Sequence, residues 1–194
     1  MIGPLTVLVP VKAFGSAKGR LAPVLDGPAR AALARRMADT VVTAAVPLPV
    51  AVVCDDREVA DWARARGCLV IWEPGRGLNG AVSAGVTALA LVGTEQVIVA
   101  HADLPLARDL GVAAGFDGIT LFPDRHDDGT NVACVPAAAG FRFQYGPGSF
   151  HRHVDEAARL GLPLRIVRDA DLAVDVDVPD DLAAASLACV PRSR

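Results

Sequence analysis

The sequence predicts an α/β domain whose sheet is mostly parallel and covered by helices on both faces. Short runs of apolar, β-branched residues recur along the chain, and helical stretches separate them at least four times. Hydrophobic residues make up 52% of the 194 positions and charged residues 21%, enough apolar material for one sizeable core and too little charge for a disordered chain. Residues 1–194 are expected to form a single three-layer α/β/α domain.

Residues 5–11 are the first strand, with Pro10 near its end, where a missing N–H is tolerated. Residues 12–23 form a loop that carries Lys12, Lys18 and Arg20. Asp26-Gly27-Pro28 signals a helix start, and an Ala-rich helix runs from there to about residue 46, stopped by Pro47 and Pro49. The second strand is 50–54, closed by Asp55-Asp56, with a short helix through Trp62. The third is 68–72, followed by a Gly-rich loop over 73–80 and a helix over 81–91. The fourth is 96–100, with Asp103 and Pro105 just beyond it. After residue 115 the alternation loosens. Residues 119–122 and 132–135 read as hairpin strands closing a pocket, so the sheet is expected to be mixed. A helix over 149–160, extended pieces at 164–167 and 173–176, and a helix opened by Pro179 complete the chain.

Net charge is −3 and no Lys/Arg run forms a basic stripe, so no nucleic-acid partner is expected. The chain lacks about 18 consecutive apolar residues, and its start lacks the basic-then-apolar pattern of a signal peptide, so no membrane association is expected. Cys54, Cys68, Cys134 and Cys189 are far apart, and three of them sit in or beside apolar strand or helix patterns. Buried free thiols in a reducing cytoplasm are the expectation.

In an open α/β sheet, ligands bind outside the carboxyl ends of the strands. Asp103 stands there. Asp175-Val176-Asp177 adds two carboxylates at the end of the extended piece expected over 173–176, and three hard oxygen ligands from two strand ends suit Mg²⁺. Capping of a helix over 106–114 is the alternative for Asp103, and salt bridging is the alternative for these carboxylates. In the first loop, Gly15 and Gly19 allow close backbone approach, while Lys18 and Arg20 suit phosphate oxygens. The loop is not a Walker sequence. Gly75-Arg76-Gly77-Leu78-Asn79-Gly80 formally matches a dinucleotide fingerprint. It follows the third strand rather than the first, however, and the next acid, Glu95, precedes a strand instead of ending one. Asn79 is expected to offer its amide to a base or ribose. Asp128-Gly129-Thr130-Asn131 and Gly146-Pro147-Gly148-Ser149 are small-residue loops with hydroxyls. Ser149 opens a helix, and His151, Arg152 and His153 follow in its first turn, where cations are unfavourable unless an anion is bound. A second phosphate site is expected there, with a plain Ser cap and exposed histidines as the alternative. Neither a Ser/His/Asp order nor zinc spacing is present.

Taken in order, several motifs resemble one family over nearly the whole chain. They are Pro10-Val11-Lys12, Ala17-Lys18-x-Arg20-Leu21, Gly77-Leu78-Asn79, Ala102-Asp103-Leu104-Pro105, Asp128-Gly129-Thr130-Asn131, Gly146-Pro147-Gly148-Ser149 and Asp175-Val176-Asp177-Val178-Pro179-Asp180-Asp181-Leu182. The family is the phosphoenolpyruvate or 2-phospho-L-lactate guanylyltransferases of deazaflavin coenzyme F(420) biosynthesis. The resemblance implies a GT-A-like nucleotidyltransferase fold. It implies Mg²⁺ on Asp103, Asp175 and Asp177, and GTP phosphates on Lys18 and Arg20, these two and Asp103 being the catalytic set. The nucleotide surface is expected to include Val11, Lys12, Asp55, Gly77 and Asn79 as well. Phosphoenolpyruvate is expected on Thr130, Gly146 and Ser149. Two departures stand out: Gly19 between Lys18 and Arg20, and the acidic stretch Arg125-His126-Asp127-Asp128. Alternatives are another phosphorylated acceptor such as 3-phosphoglycerate, or a dinucleotide-binding oxidoreductase or regulator built on Gly75–Gly80. Pterin and sugar-phosphate relatives usually carry a Gly-Gly pair that the first loop lacks. A homodimer, or a transfer partner in the same pathway, is left open by the sequence.

Overall fold

A computed structural model describes residues 3–188. Its sheet is built from β1 (Leu5–Pro10), β2 (Val50–Cys54), β3 (Leu69–Trp72), β4 (Gln96–Ala100), β5 (Ile119–Pro123), β6 (Thr130–Pro136) and β7 (Leu164–Ile166). Five helices accompany them: α1 (Gly27–Ala44), α2 (Arg57–Ala65), α3 (Gly77–Leu91), α4 (Ser149–Leu160) and α5 (Pro179–Ala188). The strand order is β3-β2-β1-β4-β6-β5-β7. β6 runs antiparallel to both β4 and β5, while every other neighbouring pair is parallel. The expected mixed, mostly parallel sheet in one α/β domain is what forms.

The apolar runs are explained by burial on two sides. Val7, Val9, Val52, Ile98, Ala100 and Val132 share a core with residues of α1 and α2. Their strand neighbours Leu8, Ala51, Val53, Val97, Val99 and Ala133 share another with residues of α3 and α4. Side chains alternate across a strand, so a strand covered on both faces reads as continuously apolar. Asp26 and Asp56 cap α1 and α2 by accepting from Ala29 N and Val59 N at 2.8 and 3.0 Å.

The topology puts the site between β1 and β4. β1, β2 and β3 wind outward in one direction, and β4 returns to the other side of β1. The loops leaving β1 and β4 therefore diverge, and the crevice between them is a switch point.

Three boundaries differ from expectation. α3 starts at Gly77, so the second half of the Gly-rich segment is helical. Residues 173–176 form no strand; they lie as a loop whose Val176 is buried with Leu21 and Met37. Residues 106–114 hold only a short 3₁₀ turn, Gly111–Ala113, so Asp103 caps no helix. Cys54, Cys68 and Cys134 are buried free thiols, and Cys189 lies outside the described residues. Among the described residues no helix is long and apolar enough to cross a membrane.

At Gly118 the β5–β7 edge comes closest to another backbone. A Cβ there would sit 2.3 Å from the carbonyl oxygen of Pro163, beside the Ile119 N–H to Pro163 O bond of 2.8 Å. Gly118→Ala is expected to destabilise the protein by roughly 1–3 kcal/mol through this overlap. Urea unfolding at constant m-value checks it.

Candidate active site

Two buried anchors hold the loop after β1. Phe14 is 1% exposed and packs edge-on against Trp62 at 5.5 Å. Leu21 is fully buried against Met37 and Val176. Between these anchors Lys18 adopts a left-handed backbone, φ 55° and ψ 40°. Such a conformation is uncommon for a residue with a side chain, and it recurs at functional sites. Its ammonium donates to Asp103 Oδ2 at 2.6 Å and to Asp177 Oδ1 at 2.8 Å.

The same burial sets the two flanking acids. With Val176 turned into the core, Asp175 and Asp177 remain on the cavity side. The Val176 N–H reaches the Asp103 carbonyl at 3.3 Å, which ties this segment to the loop after β4. Asp181 secures the far side. Its carboxylate accepts from the N–H groups of Asp177 and Val178 at 2.7 and 2.8 Å and also pairs with Arg125. An acid in the first turn of α5 thus satisfies donors that the helix start leaves free.

Burial alone would raise the Asp103 carboxyl, but the Lys18 ammonium beside it holds it below the ordinary range. Lys18 is correspondingly raised: burial works against its charge, and Asp103 and Asp177 outweigh burial. Asp175 has no such cation. Burial, then the charges of Asp103 and Asp177, push its carboxyl up to about 6.

A cavity of about 590 Å³ opens over these groups. Val11, Lys12, Lys18, Arg20, Asp55, Gly77, Asp103, Thr130, Gly146, Ser149, Asp175 and Asp177 all line it. One expected residue does not. Asn79 accepts from Tyr145 N at 2.7 Å and donates to Tyr145 O at 3.3 Å, so both ends of its amide are used on backbone. The amide clamps the loop that carries Gly146, and Asn79 stands outside the cavity lining.

Thr130 and Ser149 bring uncharged groups to the same cavity, which Asp124 and Asp128 also line. Thr130 N–H donates to Ser149 Oγ at 3.1 Å. Ser149 therefore does not cap α4; Gly148, with φ 71°, takes that position. Thr130 Oγ1 lies 3.0 Å from His153 Nδ1. Burial pushes the fully covered His153 down to about 4, so the ring is neutral at pH 7. Arg152 turns back onto the carbonyls of Gln144 and Pro147 at 2.8 and 2.6 Å. The first-turn cations expected to mark an anion are thus one neutral ring, one guanidinium held by carbonyls, and the exposed His151. The acidic hairpin is also accounted for. Asp124 accepts from the N–H groups of His126, Asp128 and Gly129, and Asp127 pairs with Arg168.

Several contributing residues carry no local sequence signal. His101 and Tyr145 line the cavity with ring centroids 4.6 Å apart. His101 Nε2, Tyr145 Oη and Asp103 Oδ1 are buried with no hydrogen-bond partner among the described residues. Buried polar atoms are rarely left unpaired, and three at one cavity point to a polar ligand.

Asp103 and Asp177 supply hard oxygen atoms, Asp103 Oδ1 is unpaired, and Asp175 is destabilised by like charge. That donor chemistry fits a divalent cation. The three acids are not drawn together as a ligand set, and no metal-holding group of three His, Cys, Asp or Glu occurs among the described residues. Lys18 bridges two of them instead.

The fold is the one found in solved nucleotidyltransferases. Similar solved structures include a 4-diphosphocytidyl-2C-methyl-D-erythritol synthase from Anaerococcus prevotii, with TM-score 0.64, 11% identity and 95% of each chain covered. A nucleotidyl transferase from Methanothermobacter matches with TM-score 0.61 and 16% identity over 93% of this chain and 94% of that one. The guanylyl transferase CofC-like family model matches residues 5–188, and the chain belongs to that family. It is a guanylyltransferase. A phosphoenolpyruvate guanylyltransferase from Sphaerobacter thermophilus is 38% identical over 90% of this chain and 89% of its own. A 2-phospho-L-lactate guanylyltransferase from Methanocaldococcus jannaschii is 28% identical over 92% and 80%.

His153 gives the site a pH signature. Between pH 6.5 and about 4 the unfolded chain protonates this ring while the native chain keeps it neutral. The unfolded state then binds more protons, so stability falls as pH falls and the loss is complete below about 4. The shift corresponds to about 3 kcal/mol. Denaturant unfolding of His153→Asn beside the wild type should show the variant lacking this share of the acid destabilisation.

Proposed function

We propose that the chain transfers GMP from GTP to the phosphate of a small phosphorylated carboxylic acid, phosphoenolpyruvate in preference to 2-phospho-L-lactate, releasing pyrophosphate in coenzyme F(420) biosynthesis. The observation that carries it is one cavity lined by two unlike sets of side chains. Lys18 bridges Asp103 and Asp177 in the first set, and the buried hydroxyl residues Thr130 and Ser149 belong to the second. Phosphoenolpyruvate is favoured because the more similar relatives bear that name, at 38% and 35% identity against 28% for the phospholactate enzyme. Three buried thiols suit a reducing cytoplasm.

An acceptor phosphate oxygen attacks the α-phosphorus of GTP. The bond from that phosphorus to the bridging oxygen breaks, and the electron pair leaves with pyrophosphate. The second pKa of a phosphate is near ~6, so the nucleophile is largely ionised at pH 7 and no protein base is needed. What the residues supply is alignment and charge neutralisation. An ammonium has three donors; Lys18 spends two on carboxylates and has one left for a phosphate oxygen. Arg20 and Lys12 line the same cavity and neutralise the departing pyrophosphate. Thr130, Gly146 and Ser149 seat the acceptor. Mg²⁺ would be held by Asp103 and Asp177, with Asp175 beside them, and would supply Lewis-acid neutralisation of phosphate charge.

The Gly75–Gly80 segment does not support the dinucleotide alternative. It follows β3, at the edge of the sheet, and Asn79 is spent on backbone.

The deciding assay is pyrophosphate release with GTP or ATP against phosphoenolpyruvate, 2-phospho-L-lactate and 3-phosphoglycerate, with and without a chelator. GTP with phosphoenolpyruvate should be fastest, and chelation should stop it. Asp103→Asn should lower kcat by at least about 100-fold while the circular dichroism spectrum stays native. Wild-type turnover in that variant would remove the metal assignment.

A further inference from the structure

The wall made by Thr130, Ser149 and His153 has a hydrogen-bond direction that can be worked out atom by atom. The Gln144 backbone N–H donates to His153 Nε2 at 2.9 Å. A backbone N–H cannot accept, so Nε2 must carry a lone pair. The neutral ring then has its one proton on Nδ1. The partner of Nδ1, at 3.0 Å, is Thr130 Oγ1, which is therefore the acceptor. Ser149 Oγ is likewise an acceptor, taking the Thr130 backbone N–H at 3.1 Å. Each hydroxyl keeps its own hydrogen, and neither hydrogen has an acceptor among the described residues. Both residues line the cavity and are 2% exposed. Tyr145 packs edge-on against His153 at 5.0 Å and adds a third buried hydroxyl without a partner.

We infer that His153 is a positioning residue: its Nδ1–H fixes the Thr130 hydroxyl as a donor into the cavity. Together with the Ser149 hydroxyl, fixed the same way by the Thr130 N–H, it makes this wall a seat for a group that offers acceptors only, an ionised phosphate or carboxylate. The inference rests on the acceptor assignment of the preceding subsection and deepens it. A ligand that presents a hydroxyl hydrogen to this wall meets donors with donors. A fully ionised oxyanion satisfies both hydroxyls without adding a charged side chain to a chain of net charge −3. Reversing the ring, with the proton on Nε2, would set two N–H groups against each other at Gln144. The tautomer, and with it the polarity of the wall, is therefore locked by main chain.

The test is steady-state kinetics with GTP and phosphoenolpyruvate on His153→Phe, His153→Asn, Thr130→Val and the double variant His153→Phe/Thr130→Val. Phosphoenolpyruvate binding without GTP is read alongside as a thermal shift. His153→Phe should raise the acceptor KM about 10-fold or more, with the GTP KM within about 3-fold of wild type. His153→Asn, whose amide N–H falls near the Nδ1 position, should recover most of that loss. The double variant should be no worse than Thr130→Val alone, because the ring acts through that hydroxyl. Equal rises in both KM values, or multiplicative losses in the double variant, would overturn the inference. If His153→Phe does not fold, Thr130→Val and His153→Asn still decide it: an unchanged acceptor KM in Thr130→Val refutes the seat. A wild type that binds phosphoenolpyruvate but transfers nothing to it would refute the proposed reaction and leave the seat standing.

Discussion

The site depends on one ammonium held between two carboxylates. Lys18 joins the loop after β1, the loop after β4 and the segment before α5, three stretches far apart in sequence. Lys18 is largely buried, with its side chain 9% exposed, and Asp103 is 22% exposed, so neither charge is freely solvated. Breaking such a pair by removing one member leaves the other charge uncompensated, which costs far more than the pair contributes when intact. The arrangement therefore makes a poor source of stability and a good source of order. It fixes where positive and negative charge sit at the switch point before any nucleotide arrives, as electrostatic preorganisation requires.

The surrounding structure is what lets that ammonium stay in place. Phe14 and Leu21 pin the two ends of the first loop, and Val176, buried between its two acids, pins the third stretch. Burying a side chain of that size contributes about 1.5–3 kcal/mol, enough to offset a strained backbone at Lys18. Asp181 then absorbs the free N–H groups at the start of α5, so the segment carrying Asp177 has few unsatisfied donors to drive a rearrangement. Asp175 is the residual tension. With its carboxyl raised by burial and by two like charges, it is the group most relieved by added positive charge in the cavity.

The sheet was legible in the sequence because its strands are buried on both faces and so read as unbroken apolar runs. Asp103 was legible because position at a strand end is a local property. Lys18, Thr130 and Ser149 were legible through residue type and loop composition. What could not be read was partnership. Asn79 has the chemistry of a base reader, and only the fold shows that Tyr145 backbone lies closer to it. His153 stands in a first helical turn where an exposed cation is the ordinary expectation, yet α4 turns that side chain inward against Phe141, Phe143 and Tyr145. Burial and a single backbone N–H then decide its charge and tautomer. Both facts are non-local, and no periodicity carries them.

On the proposed reading, the chemistry makes opposite demands on the two sets of side chains that line the cavity. The nucleotide side must accommodate negative charge as it shifts onto a leaving pyrophosphate, and fixed cations act most strongly where charge develops. The proposed acceptor is an anion that becomes less charged when its phosphate oxygen is esterified. Cations around it would hold the substrate tightly and gain nothing in the transition state, since binding both equally does not raise kcat. On the proposed reading, oriented hydroxyls and a neutral imidazole would hold the acceptor by direction rather than by net charge. They would leave the nucleophilic oxygen undiminished by a cation among them, and their grip would weaken as the oxyanion they receive is consumed.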